Sequence, residues 1–194
     1  MTANLTLSRI RAALTTPPVF PADAPKLKTN LDTNFLKLIA IFAMLIDHIG
    51  GAFFPEVGVF RWIGRLAFPI FCYCLTVGLL YTHDIRRYLG RLAIFAVVSQ
   101  PFWILAFNAD DILGNLTNWN IFFTLFLSLL AMWGLTTRRW WLFVLGVLVL
   151  AFGSFDYNYN GVILILIFYF CRNKPALLAG LYTLFWIPAL WGGS

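Results

Sequence analysis

Lys37, Asp47 and His48 lie inside a single apolar run of about Phe35–Phe54. Ionisable groups in such a run cost about 2.5–3.5 kcal/mol each on insertion scales, so each needs a partner or a task. Lys37 and His48 are eleven residues apart. On a helix that spacing sets them within about 20° of one face and ~16 Å apart along the axis. A neutral imidazole can take a proton from an attacking amine or hydroxyl. A lysine at the other end of the same face can hold an anion or snorkel to the headgroups. Asp47 adjoins His48, and adjacent helical side chains point ~100° apart. The spacing therefore gives Asp47 a different face, not the role of a triad acid.

Arg61 and Arg65 are four apart and share a face at the start of the second apolar run. The short connector brings them to Asp47. Two readings stay open: an Asp47–Arg65 ion pair, and a cationic clamp for a substrate carboxylate or oxyanion. Arg86, Arg87 and Arg91 lie where the second and third spans join, as a topogenic signal or as a phosphate site. Ser99-Gln100-Pro101 interrupts that run, where Ser and Gln can satisfy the carbonyl that proline frees or face a cavity. Asp156 opens a polar segment running to Gly161. It is a candidate carboxylate partner for a protonated amine, with Tyr157 beside it, although tyrosine also anchors at interfaces. Asn118 and Asn120 can cap a helix or line the same mouth. No Walker loop, dinucleotide glycine pattern, zinc pattern or serine elbow is present.

These residues need elements to hold them. The 194-residue chain is 61% apolar and 11% charged, whereas a soluble domain has about 25% charged residues. That excludes a water-soluble globule, a disordered tail and a nucleic-acid-binding module. The expected fold is all-α, a polytopic transmembrane helix bundle of about seven spans in the lipid bilayer. The apolar runs are about Phe35–Phe54, Trp62–Tyr81, Leu89–Phe107, Trp119–Leu135, Trp140–Phe155, Gly161–Cys171 and Ala176–Trp191. Basic connectors (residues 1–30, 82–91, Arg138/Arg139, Arg172/Lys174) alternate with connectors bearing Glu56, Asp110/Asp111 and Asp156. The positive-inside rule then gives a cytoplasmic N-terminus and an external C-terminus. Residues 1–32 read as a basic cytoplasmic tail, not a cleavable signal, and 33–194 as the bundle. The fifth and sixth runs are short. Either flanking residues extend them, or 156–161 is irregular backbone lining a cavity. Cys72, Cys74 and Cys171 suit neither a disulfide nor a zinc site and read as packing residues. No metal is expected.

Leu36-Lys37-Leu38-Ile39-Ala40 and Met44-Leu45-Ile46-Asp47-His48-Ile49-Gly50 resemble the TraX family. So do Arg61-Trp62-Ile63-Gly64-Arg65-Leu66-Ala67-Phe68-Pro69-Ile70-Phe71, Arg87-Tyr88-Leu89-Gly90-Arg91-Leu92, Ser99-Gln100-Pro101-Phe102 and Asn120-Ile121-Phe122-Phe123-Thr124-Leu125. The resemblance covers about residues 33–190. It implies an inner-membrane, multi-pass acetyltransferase that moves acetyl from acetyl-CoA to the N-terminus of a conjugative pilin, or to another membrane or cell-surface acceptor. It is also similar to larger membrane acyltransferases, in which a basic residue, ten intervening residues and a catalytic His recur on the first span. Lys37 and His48 reproduce that spacing. By this resemblance His48, Asp47 and Arg65 are catalytic. Lys37, Arg87 and Arg91 hold the coenzyme, although the arginine spacing departs by one residue from Arg-x-x-Arg. Arg61, Gln100, Asp156 and Tyr157 face the acceptor. Three alternatives remain: a pilin head-to-tail cyclase without coenzyme, a transporter with an Asp47–His48–Arg65 proton relay, and a pilus-assembly protein.

Overall fold

The computed structural model describes residues 31–54, 56–107 and 117–191. Most of the tail and Asp110/Asp111 lie outside the described residues. The chain is all-α. Its helices are α1 (Leu31–Phe53), α2 (Gly58–Tyr81), α3 (Ile85–Phe107), α4 (Ile121–Thr136), α5 (Trp140–Phe152), α6 (Asn160–Cys171) and α7 (Pro175–Trp191). Two short strands, β1 (Asn118–Trp119) and β2 (Ser154–Phe155), pair in parallel. Helices suit these apolar runs because each satisfies its own backbone polar groups where water is absent. Among the described residues, three segments, Thr33–Gly51, Gly58–Tyr81 and Ile85–Leu105, are long and apolar enough to cross a membrane. The bundle is also apolar outside: Phe42, Phe95 and Phe102 are more than 60% exposed and Phe152 86%. That is a surface for lipid, since soluble monomers rarely show large apolar patches.

α2 is the central helix. It packs most extensively on α1 and also meets α4 and α6. Phe68, Cys72, Leu125, Leu129 and Leu164 close the core at 0–1% exposure. The three cysteines are free and buried. α2 begins at Gly58, earlier than the expected Trp62, because the apolar residues Val59 and Phe60 extend the run. Arg61 and Arg65 are thereby both helical.

α4 starts at Ile121, later than the expected Trp119, because Asn120 is its N-cap and Trp119 pairs with Phe155 in the strands. α5 ends at Phe152, not Phe155. Its 13 residues rise ~20 Å. The connector to α6 is irregular, with Asn158 at φ 44 and its Oδ1 accepting from the Phe155 backbone N–H at 3.3 Å. Asparagine tolerates this left-handed conformation better than most residues. The α4–α5 turn uses the same device at Arg138, φ 59.

Candidate functional site

The site begins where α1 and α2 cross. An added Cβ on Gly64 would strike the Asp47 side chain, so only glycine lets this carboxylate lie against α2. Asp47 Oδ2 is 3.6 Å from Arg61 Nη1 and 3.7 Å from His48 Nδ1. Of the two readings left open, the Asp47–Arg65 pair does not form: Asp47 pairs with Arg61 in the first turn of α2, where the missing Cβ of Gly64 admits the carboxylate. Asp47 still reaches toward His48, although 3.7 Å exceeds a hydrogen bond. Arg65, one turn deeper, acts electrostatically on Tyr157.

The α5–α6 connector closes over this crossing. Tyr157 stacks on Phe68 with centroids 3.8 Å apart and planes 9° apart. Asp156 stands at the rim with protein crowded around it. That crowding pushes its carboxyl up to about 6, with His48 pulling it down, Asp47 raising it and Arg61 pulling it down. Burial likewise pushes the Tyr157 hydroxyl up to about 12. The structure therefore gathers Asp47, His48, Arg61, Arg65, Asp156 and Tyr157 at one end of the bundle. Two carboxylates, two guanidiniums, an imidazole and a phenol can bind an ammonium, hold an anion and move a proton.

Gln100 is not in this cluster. Its Nε2 donates to the Asn118 carbonyl at 2.6 Å, and its Oε1 accepts from the Asn120 backbone N–H at 3.1 Å. Asn120, 2% exposed, caps α4 and donates from Nδ2 to the Ala96 carbonyl and to Ser99 Oγ, each at 3.0 Å. The expected acceptor contact of Gln100 is therefore corrected: both ends of its amide clamp the α3–α4 connector. That clamp holds β1, β1 holds β2, and β2 leads directly into Asp156 and Tyr157. Sequence reasoning gave Asn120 a cap or mouth role, but missed that it ties α3 to this network. The spacing of two amides across an unassigned connector carried no such signal.

Two cavities lie along α1. One, of about 360 Å³, holds His48 with Ile41, Met44 and Leu45 of α1, Ser99, Phe102 and Trp103 of α3, and Asn120, Ile121 and Phe122. The other, of about 440 Å³, lies at the opposite end of α1. It is lined by Thr33, Asn34, Lys37, Cys74, Val77, Gly78, Tyr81, Thr82, His83, Tyr88 and Arg91. It carries cations and hydroxyls and, among these lining residues, no carboxylate. Tyr88 fits because Gly78 has no Cβ to meet its ring, and Arg91 lies 5.9 Å from that ring. Lys37 and Arg91 thus share a cavity. Arg87 does not line it: its side chain is 86% exposed and its Nε lies 3.1 Å from Asp84 Oδ2. Arg87 and Arg91 share a face of α3, but Arg87 sits in the first turn beside Asp84, one turn short of the cavity that Arg91 lines, which corrects their expected grouping.

The family described as TraX protein matches residues 32–189. The chain belongs to the TraX family. Its TraX region takes in both cavities and the whole outer cluster. Over 106 residues the chain is 39% identical to the probable fimbrial assembly protein FimC, serogroup H1, of Dichelobacter nodosus, covering 50% of this chain and 43% of that protein. Over 80 residues it is 50% identical to the uncharacterized protein RP591 of Rickettsia prowazekii (strain Madrid E), covering 41% of this chain and 30% of that protein. The chain thus matches less than half the length of either curated relative. No solved structure matches this TraX-family chain.

Proposed function

We propose that this TraX-family chain is a multi-pass inner-membrane acetyltransferase that moves an acetyl group from acetyl-CoA to an extracytoplasmic amine, the N-terminus of a pilin. The observation that carries the reading is the arrangement along α1: a basic cavity with Lys37 and Arg91 at one end, and His48 among Asp47, Arg61 and Asp156 at the other. The family and the fimbrial-assembly name of one relative support the pilus context. The cations and hydroxyls of the basic cavity fit the phosphates of a coenzyme. The coenzyme supplies an activated thioester.

Asp156 draws the ammonium of the acceptor to the mouth, and Tyr157 shapes that mouth. The ammonium first gives up one proton to water; His48 then accepts the second as the amine nitrogen forms its bond to the acyl carbon and the carbon–sulfur bond breaks. That proton leaves with the thiolate. Arg65 stabilises the developing oxyanion, and Arg61 holds Asp47 beside His48.

The test is transfer of labelled acetyl from acetyl-CoA to protein in membranes carrying the wild-type chain, His48→Ala or no chain. Label fixed only with the wild type supports the reading; equal labelling in all three removes it. The two arginines and two carboxylates of the outer cluster also favour a second reading, ring closure between a pilin carboxylate and its own amine. That product forms without coenzyme and is lighter by one water.

A further inference from the structure

The acetyltransferase reading leaves open how a donor bound at Lys37 reaches His48, ~16 Å along α1. The centre of the bundle is closed: Ala40, Phe68, Cys72 and Leu129 have no exposed surface. The two cavities, in contrast, follow one another along a single face of α1. Positions 34, 37, 41, 44, 45 and 48 fall within an arc of about 100°. α3 contributes to the wall of both, with Tyr88 and Arg91 in the basic cavity, where Cys74, Val77, Gly78 and Tyr81 of α2 also line it, and with Ser99, Phe102 and Trp103 in the one holding His48. Only one turn of α1 separates Lys37 from Ile41. The outer edges of this groove, Ile41, Leu45 and Phe102, are 49–69% exposed.

We infer that the acyl-coenzyme donor lies outside the helical core, in the groove between α1 and α3, with its phosphates on Lys37, Arg91 and Tyr88 and its arm along Ile41, Met44 and Leu45 to His48. The inference rests on the acetyltransferase reading and commits to a coenzyme thioester as occupant. Charge complementarity argues for it: a cationic cavity without lining carboxylates at one end, the largely apolar lining of the second cavity with Ile41, Met44 and Leu45, and a base at the far end. Lipid would form the fourth wall of the groove, so the thioester would be shielded from water along its length.

The experiment uses the full chain in nanodiscs, with Ile41→Cys in the groove and Leu145→Cys on the exposed face of α5, reacted with a membrane-permeable maleimide. The probe is acetyl-CoA at about ten times its dissociation constant, where mass action gives about tenfold protection. Protection of Ile41→Cys, none of Leu145→Cys, and loss of protection when Lys37→Ala is added are expected. Met44→Cys gives the same reading should Ile41→Cys fail to fold. Acetyl transfer by the wild type with no protection at either groove position overturns the groove while leaving the acetyltransferase reading intact. Slower labelling with added anionic lipid, and no effect of acetyl-CoA, overturns it in favour of a lipid site. Absence of both acetyl-CoA binding and transfer in the wild type removes the acetyltransferase reading and the groove together.

Discussion

Tyr157 lies flat on Phe68, with 3.8 Å between ring centroids and 9° between ring planes. Phe68 is fully buried in α2, so the stack fixes the α5–α6 connector to the central helix. Aromatic pairs contribute about 0.5–1.5 kcal/mol beyond their buried area. Tyr157→Phe keeps the stack and is expected to unfold within a few degrees of wild type in detergent. Tyr157→Ala is expected to unfold clearly earlier and to lose acceptor capture. Equal melting of both variants and wild type contradicts this anchor.

Gly64 is the position at which α2 admits the Asp47 carboxylate. Gly64→Ala puts a methyl into that contact, and overpacking costs about 1–3 kcal/mol. Reduced transfer with the protein still inserted is expected, because Asp47 shifts away from His48 and Arg61. A transfer rate unchanged by Gly64→Ala would show that the position of Asp47 does not matter.

Asn120→Ala removes a helix cap and the two bonds to Ala96 and Ser99 at once. Cap loss alone costs about 0.5–2 kcal/mol. Gln100→Leu should show a similar but smaller loss, because it holds the same connector from one side. Thermal unfolding followed by circular dichroism reads both. A Gln100→Leu variant with wild-type stability but impaired acceptor binding would return Gln100 to the acceptor site.

Asp156 predicts opposite effects of pH on stability and on acceptor binding. Its carboxyl, exposed at the rim, is raised to about 6 from 3.8, chiefly by the protein crowded around it. The folded chain therefore takes up this proton before the unfolded chain does. As pH falls from 7 through 6 toward 4, Asp156 favours the folded state, while the carboxylate needed to hold an ammonium disappears. Acceptor affinity should fall on the acid side of about 6. Asp156→Asn should remove that limb, bind the acceptor weakly at every pH, and cost no stability at pH 7. An acid limb that persists in Asp156→Asn belongs to another group.

Lys37→Ala and Arg91→Ala should each raise the KM for acetyl-CoA by roughly tenfold or more, the size of a charge-assisted hydrogen bond of about 1.5–3 kcal/mol. Arg87→Ala should change it little, since exposed pairs contribute about 0–1 kcal/mol. A larger effect at Arg87 than at Arg91 would contradict the cavity as described.

The helices and their order were legible in the sequence because the apolar runs and alternating connectors repeat one signal many times. The Lys37–His48 face was legible because a helix converts spacing into angle. Helix ends were less so: Trp119 and Phe155 continue apolar runs, yet pair with each other across the connectors. The sequence left open whether Asp47 pairs with Arg65 or both arginines form a clamp, because spacing along one helix does not reveal where a glycine on the next helix lets the carboxylate approach. Arg87 and Arg91 read as one cluster in a row of letters and do share a face of α3, but Arg87 lies one turn nearer the helix start, where Asp84 takes it and the cavity does not reach.

The most direct measurement is intact-mass spectrometry of the small membrane proteins from cells carrying wild type or His48→Ala, with insertion of both confirmed. Acetyl transfer predicts a species heavier by one acetyl group less a hydrogen, present with wild type and absent with His48→Ala. A species lighter by one water, or identical masses in the two membranes, would contradict it.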